Sequence, residues 1–373
     1  MINVLSIVSY HVLPALVGGQ KGIALFYKYF SRHVNIVCVT TWKNDPAVAE
    51  GYEVLNILSD SPLRYINVFY FFTLRKVIRE RKITHLILEH PYYGWLGVLL
   101  KRFCNVQLII HSHNIEGLRW KTLGKWWWKI LFNYEAWAHR HADFNFFKQL
   151  HDRDFAIRHF HLDPAKCLEV TYGIEQHLPP SPKERALDKK YLQDKYVIPP
   201  QNSILLFNGA FGYQPNLQGL MYILNEIQPS LEKINEFNYT ILLCGKDIPP
   251  GVSSAKIPNI IFAGFVPNIA IYFRGADIFL NPIVEGGGIK TKLVEALGYD
   301  MDAVSTENGA IGIDPAICNN KLTVITGQNW PAFADAVYRA SLDESHITQS
   351  FFEHFYWGDI AERAAAFITK KRS

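Results

Sequence analysis

The stretch from Phe279 to Gly312, FLNPIVEGGGIKTKLVEALGYDMDAVSTENGAIG, constrains the fold of this chain more than any other. It begins in an apolar run, Ala276 to Leu280, turns at Asn281-Pro282 and passes through three consecutive glycines, Gly286-Gly287-Gly288. A helical pattern follows, with Leu293, Val294, Ala296 and Leu297 apolar and Lys290, Lys292 and Glu295 polar. It stops at Gly298, where a C-cap glycine is expected. A strand, a glycine turn and a helix N-terminus together hold anions well. The glycines let the backbone approach a ligand, free N–H groups point at it, and the helix dipole favours negative charge there. Lysines in a first turn oppose that dipole, so Lys290 and Lys292 read as placed for a phosphate. Glu295 lies one turn beyond Lys292 on the same face. Its carboxylate can there accept two vicinal hydroxyls, as on a ribose. A glycine-rich turn is often only a tight turn; the triplet, the lysines and the glutamate in one short element are what point to a ligand.

At 373 residues the chain is too long for one ordinary core, and a prior of about 150 residues per domain suggests two. A net charge of +4 is too mild to argue for nucleic acid, which requires a concentrated basic stripe. The five cysteines are scattered and contain no C-x-x-C, so neither a disulfide framework nor a zinc site follows. Met1-Ile2-Asn3 leads directly into an apolar strand without a basic region, so no signal peptide is expected. No stretch approaches the roughly 18 apolar residues of a spanning helix. The expectation is a cytoplasmic protein, with peripheral contact at the inner face of the cytoplasmic membrane left open.

Along the chain, apolar strands alternate with helical patterns, which gives an α/β class. Val4 to Ser9 reads as a buried parallel strand, followed by the loop Gly18-Gly19-Gln20-Lys21-Gly22 and a helix from Ile23 to Phe30. The loop is not G-x-G-x-x-G, and the next strand, Val34 to Thr40, lacks the acidic end a dinucleotide ribose needs, which disfavours a dehydrogenase. Tyr65 to Arg81 has helical spacing and a basic end. His85 to Leu88 is a strand with Glu89-His90-Pro91 at its C-terminal end, and Val106 to Ile110 is another, followed by His111-Ser112-His113-Asn114-Ile115-Glu116. Ligands of parallel sheets bind beyond those ends, and a histidine there can hydrogen-bond a sugar hydroxyl or shuttle a proton. His113 is the candidate; His90 and His111 rank behind it. Four tryptophans, Trp120, Trp126, Trp127 and Trp128, interleave with lysines including Lys125 and lead into a long helix, a composition suited to a membrane interface. Residues 176 to 200 hold Pro179, Pro180, Pro182 and Pro199-Pro200 among many charges and read as a linker. A second set of strands begins at Ile204, with Gly209 to Asn216 and Gly264-Phe265-Val266-Pro267 as its loops, and the tail from Phe351 to Lys370 reads as amphipathic.

The pattern Pro282, Gly286-Gly287-Gly288, Lys292, Glu295-Ala296, Val304-Ser305-Thr306, Gly309-Ala310 and Gly312 resembles the donor site of retaining GT-B glycosyltransferases of family 4, in its triple-glycine variant. His113-Asn114-Ile115-Glu116, Val170 to Glu175 and Gly264-Phe265-Val266 resemble further segments of that family, so the likeness runs over essentially the whole chain. It implies α/β, GT-B architecture: two doubly wound Rossmann-like domains facing a central cleft, whose closure excludes water. The implied division is an acceptor-side domain at 1–178, a linker at 179–202, a donor domain at 203–348 and a C-terminal helix at 349–373 packing back on the first domain.

The resemblance further implies His113 and Lys292 as catalytic residues. It implies donor contacts from Gly18, Gly19, Gly209, Phe265, Val266, Gly287, Gly288, Ile289, Lys290, Thr291 and Glu295. Many members carry two glutamates seven residues apart. Glu295 matches the second, which binds the donor ribose, but the first falls on Gly287; Glu285 sits two residues earlier. The family's Arg and Lys for the diphosphate are absent between Asn208 and Leu224, which leaves that charge to Lys290 or Lys292. The implied reaction moves a sugar from a UDP- or GDP-linked donor to an acceptor hydroxyl with retention, in polysaccharide or glycolipid synthesis. No metal or other cofactor is expected, since the chain has no D-x-D pair at a strand end and the family usually needs none. The expected partners are a nucleotide sugar and a glycan or lipid-linked acceptor. A nucleotide-sugar epimerase of the same fold and a non-catalytic sugar-nucleotide-binding scaffold remain as alternatives.

Overall fold

The computed structural model describes residues 2–253 and 257–369. Lys370, the expected end of the tail, lies outside the described residues. The chain divides into two compact units, one formed by residues up to Glu175 together with those from Phe355 onward, the other by Gln176 to His354.

The first unit is built on seven parallel strands: β1 (Asn3–Val8), β2 (Asn35–Thr41), β3 (Glu53–Leu58), β4 (His85–Glu89), β5 (Gln107–Ser112), β6 (Phe144–Phe147) and β7 (Cys167–Glu169). Their order is β3-β2-β1-β4-β5-β6-β7. The central strands are buried almost throughout, as expected where crossover helices cover both faces of a parallel sheet. Helices α1 (Gly18–Phe30), α2 (Tyr70–Glu80), α3 (Gly94–Cys104), α4 (Glu116–Thr122), α5 (Trp128–His141) and α6 (Leu150–His159) connect them. In α1, Ile23, Phe26, Tyr27 and Phe30 repeat at helical spacing and are all buried. The C-terminal helix Trp357–Thr369 turns its own stripe, Trp357, Ile360, Ala361, Ala364 and Ile368, inward beside α1. Ile174 N–H donates to Phe355 O at 2.7 Å and Trp357 N–H to Ile174 O at 2.9 Å, so the tail is hydrogen-bonded into this unit.

The second unit has six parallel strands, β8 (Ser203–Ala210), β9 (Tyr239–Lys246), β10 (Ile260–Gly264), β11 (Ile278–Asn281), β12 (Asp302–Thr306) and β13 (Leu322–Ile325), in the order β10-β9-β8-β11-β12-β13. In each sheet the strand order reverses direction beside the first strand, between β1 and β4 and between β8 and β11. The crevice beyond the C-terminal ends at such a reversal is where ligands of open parallel sheets bind.

Three expectations are corrected. The span expected as a linker contains α7 (Pro182–Tyr196), capped by Ser181 with Glu184 reaching back, and packed on the helix Ile269–Gly275. Arg274 meets Asp188 at 2.6 Å and Lys189 meets Asp277 at 2.8 Å. Of the α7 residues only Leu192 is buried, so the helix carries no apolar stripe for periodicity to reveal. The helix expected from Tyr65 begins at Tyr70, because Pro62–Ile66 forms a separate 3-10 turn. The helix after the glycine triplet, Thr291–Gly298, does end at Gly298, but the left-handed residue that stops it is Asp300, with φ of 60°.

Candidate functional site

Each switch point gathers a distinct set of polar side chains. In the second unit, the loop leaving β11 is shaped by Gly286 (φ 95°) and Gly288 (φ 78°), a left-handed backbone that side-chain-bearing residues rarely adopt. Lys290 closes this loop on itself, donating to Gly286 O at 3.0 Å and Gly288 O at 2.9 Å. Lys292, in the first turn of the helix Thr291–Gly298, reaches across to β8 and donates to Asn208 O at 2.6 Å and Asn216 Oδ1 at 2.8 Å. A side chain at Gly209 would stand 2.9 Å from Asn216 and 3.2 Å from Lys292 Nζ, so the glycine there makes room for this lysine. Asn216 is itself aimed by a bond from Nδ2 to Ala210 O at 2.9 Å.

Both ammonium groups thus end on neutral oxygens. Burial, with Lys290 beside it, lowers Lys292 to about 7 against the opposing pull of Glu295, and burial lowers Lys290 to about 8. Glu295 only partly offsets the cost of taking that positive charge out of water, so an anion beside the two lysines would be favoured. Glu295 and Thr291 on the helix Thr291–Gly298 and Ile289 just before it are partly buried, whereas Gly287 and Glu285 are exposed. The end of β12, Val304-Ser305-Thr306, braces the loop. Asn281 Nδ2 donates to Ser305 Oγ at 2.9 Å and to Gly309 O at 3.0 Å, while Thr306 Oγ1 bonds Ile283 O and accepts from Gly309 N–H. Phe265 and Val266 follow the edge strand β10, two strands from β8. Phe265 is 62% exposed, with the Lys246 ammonium 4.6 Å from its ring centre.

In the first unit, His111 lies near the end of β5 and His113 just beyond it, and both imidazoles reach Glu89. Glu89, the last residue of β4, pairs in register with His111. Its buried carboxylate accepts from His111 Nδ1 at 3.0 Å, His113 Nε2 at 2.6 Å and Tyr27 Oη at 2.6 Å. Although its own burial acts in the opposite direction, the two histidines hold Glu89 well below the usual carboxylate range. Burial, reinforced by His90, lowers His113 well below the usual imidazole range. His90, at φ 70°, stacks 4.4 Å from His113 and faces Glu116 at 3.2 Å. Lys148, which follows β6, is only 6% exposed; its ammonium sits over Phe26 and Trp357 and lacks a hydrogen-bond partner among the described residues. Gly18 and Gly19 open α1, and nothing lies within 4 Å of where a Gly19 side chain would begin.

Glu89, His111 and His113 also have the donor atoms for a metal ion, all within 4.8 Å of one another. The two Glu89 hydrogen bonds already join these atoms, and the nearby Lys148 charge opposes a cation, so the set fits a hydrogen-bonded network better than a metal centre. Of the tryptophans expected at a membrane, only Trp126 is fully exposed, at 84%. Trp120 and Trp127 pair at 5.0 Å, and Trp128 packs against Phe132. Sequence reasoning missed Glu89, Tyr27, Lys148 and Asn216 as partners. Glu89 lies at a strand end, where polar residues carry weight, and Asn216 in the first turn of the helix that follows β8, but only the fold brings Tyr27 and Lys148 to Glu89.

A family model described as "Glycosyltransferase Family 4" matches residues 18–175, and one described as "Glycosyl transferases group 1" matches residues 202–343. The chain is 30% identical over 254 residues to a Klebsiella pneumoniae protein described as "Uncharacterized 44.6 kDa protein in cps region", a match spanning 64% of this chain and 61% of that protein. Among solved structures it is similar to Anabaena HepE in complex with UDP, with a TM-score of 0.73, 12% identity, and 99% and 100% of the two chains covered. It is also similar to sucrose-phosphate synthase from Thermosynechococcus elongatus, with a TM-score of 0.72, 14% identity, and 99% and 98% covered. Likeness of this kind, with two doubly wound parallel sheets, establishes the GT-B fold. With one model matched in each unit, the chain belongs to the group 1, family 4 glycosyltransferases.

Proposed function

We propose that the protein transfers a sugar from a UDP- or GDP-linked donor to an acceptor hydroxyl with retention of anomeric configuration. The observation that carries this reading is Lys292, an ammonium enclosed at the second switch point and bonded only to neutral oxygens. A donor diphosphate placed over the glycine loop would add counter-charge to the part that Glu295 supplies. As the glycosidic bond breaks, negative charge grows on that diphosphate. Lys292, the loop amides and the N-terminus of the helix Thr291–Gly298 stabilise it without reorganising. Lys290 contributes by holding the loop in shape. Glu295 binds the ribose hydroxyls, and His113 contacts the reacting sugar. Gly18, Gly19, Gly209, Phe265, Val266, Gly287, Gly288, Ile289 and Thr291 line the donor, with Gly209 acting through the space it leaves for Lys292. We take the reaction to be metal-free, since cationic side chains and backbone amides already supply the stabilising charge. A chelator should leave transfer unchanged.

We place the reaction in cell-surface polysaccharide or glycolipid synthesis. The cps-region description of the Klebsiella relative supports this placement, as UDP bound to HepE supports the donor class. Among the described residues no helix is long and apolar enough to cross a membrane. Contact with the inner membrane face is proposed through Trp126, with exposed Leu123 and Ile130 beside it in sequence and Lys121, Lys125 and Lys129 supplying charge. The test is a screen of UDP- and GDP-sugars against glycan and lipid-linked acceptors, with the anomeric configuration of the product read by proton NMR. A product of retained configuration is expected; an inverted one contradicts the reading.

A further inference from the structure

The Glu89 network determines more than the position of His113. An ionised carboxylate only accepts hydrogen bonds. Three donors converge on Glu89: Tyr27 Oη and His111 Nδ1 on Oε1, and His113 Nε2 on Oε2. Each imidazole must therefore carry a proton on the nitrogen that faces Glu89, Nδ1 in His111 and Nε2 in His113. A neutral imidazole has one N–H, so the remaining nitrogen of each ring holds a lone pair. The buried Lys148 ammonium adds positive charge near both rings, and His90 stacks on His113 at 4.4 Å. Both neighbours oppose a second proton on His113.

We propose that Glu89 is a positioning residue that locks His113 in the Nε2–H tautomer, so that His113 offers substrate an acceptor nitrogen, Nδ1, and never a donor. The chemistry of recognition follows from this. An acceptor nitrogen suits a sugar hydroxyl, which can donate to it. It repels the phosphate and carboxylate oxygens that a protonated histidine would attract. The neighbouring histidine, held by the same carboxylate, takes the opposite tautomer and keeps its bare Nε2 inside the unit, where that atom is buried. The tautomer stands on the hydrogen-bond geometry together with the ionised state of Glu89 and the charge of Lys148; its consequence for transfer rests on the glycosyltransferase reading above.

The test uses the full-length protein labelled with nitrogen-15 histidine, with long-range proton–nitrogen correlation spectra recorded at about pH 7. The His113 signals are identified by their loss in His113→Asn. The expected wild-type pattern is a protonated Nε2 and a bare Nδ1. A protonated Nδ1, or an imidazolium, overturns the proposal. In Glu89→Gln the carboxamide can itself donate, so the His113 pattern should shift to the other tautomer or to a mixture. Transfer should fall roughly tenfold or more, with nucleotide affinity retained. An unshifted tautomer in that variant overturns the locking role, and a shifted tautomer with undiminished transfer overturns the positioning role. If the wild type transfers no sugar at all, the reading of function fails while the spectrum still decides the tautomer.

Discussion

Lys292 shows how a single residue links fold to chemistry. Its ammonium is enclosed by the helix that carries it and by the end of β8, and its partners are a peptide carbonyl and an amide oxygen. Removing it should hardly alter binding of the bare nucleoside but should lower turnover about a hundredfold or more, the size of effect seen when an oxyanion donor is lost. Comparison of Lys292→Ala with wild type in a transfer assay, alongside nucleoside titration, checks both halves. A pH dependence follows as well. Burial and Lys290 lower Lys292 to about 7 in the free protein, and a bound diphosphate would raise it again. Above that pH the free protein has lost the proton while the complex keeps it, so binding takes up a proton and weakens as pH rises. Affinity for a nucleoside diphosphate should fall, approaching about tenfold per pH unit above about pH 8, with a much shallower slope in Lys292→Met. Titration calorimetry in buffers of different ionisation enthalpy measures the proton taken up.

Among the elements, the C-terminal helix buries a full stripe against the first unit. Trp357 is fully buried, with Phe26 at 6.4 Å and Tyr172 at 5.6 Å between ring centres, and it anchors the stripe that covers α1. Trp357→Ala removes a large buried side chain that the site cannot refill, and should destabilise the protein by about 3–5 kcal/mol, read from the urea midpoint of the first unit's transition. The α4–α5 hairpin has the opposite character. Between Arg119 and Ile130 it has four basic residues and no acidic one, with Leu123, Trp126 and Ile130 exposed. Trp126→Ala combined with Lys125→Ala should reduce binding to vesicles containing anionic lipid and leave stability nearly unchanged, since neither side chain is buried. Equal vesicle binding by variant and wild type would remove this hairpin from the membrane account. Elements differ in how far the sequence reveals them. The glycine loop, β11 and the helix Thr291–Gly298 are legible because an apolar run, positive-φ glycines and a helical stripe are each local signals. Helix α7 is not, because prolines at its start and charges on nearly every face imitate a linker, while its docking against Ile269–Gly275 is not visible in its own sequence.

For the whole molecule, two parallel sheets each reverse strand order beside their first strand, and most of the proposed site residues lie there, Phe265 and Val266 at the edge strand β10 excepted. That much is predictable from where the polar residues fall after apolar runs: His113 after β5, Asn208 and Gly209 at the end of β8, the triplet after β11. What the sequence does not show is the set of partners. Tyr27 lies 62 positions from Glu89 and Asn216 lies 76 from Lys292, separations that no spacing rule spans. Lys290, also a lysine and two residues from Lys292, is set apart from it by closing the glycine loop. The central claim is that the second unit binds a nucleoside diphosphate through Lys292 and Glu295. Calorimetric titration of the purified protein with UDP, GDP, ADP and TDP, repeated on Glu295→Ala, tests it most directly. The account predicts that UDP or GDP binds and that binding is strongly weakened in the variant. Binding of none of the four by the folded protein, or equal binding by the variant, would contradict it and favour a scaffold that has lost its donor site.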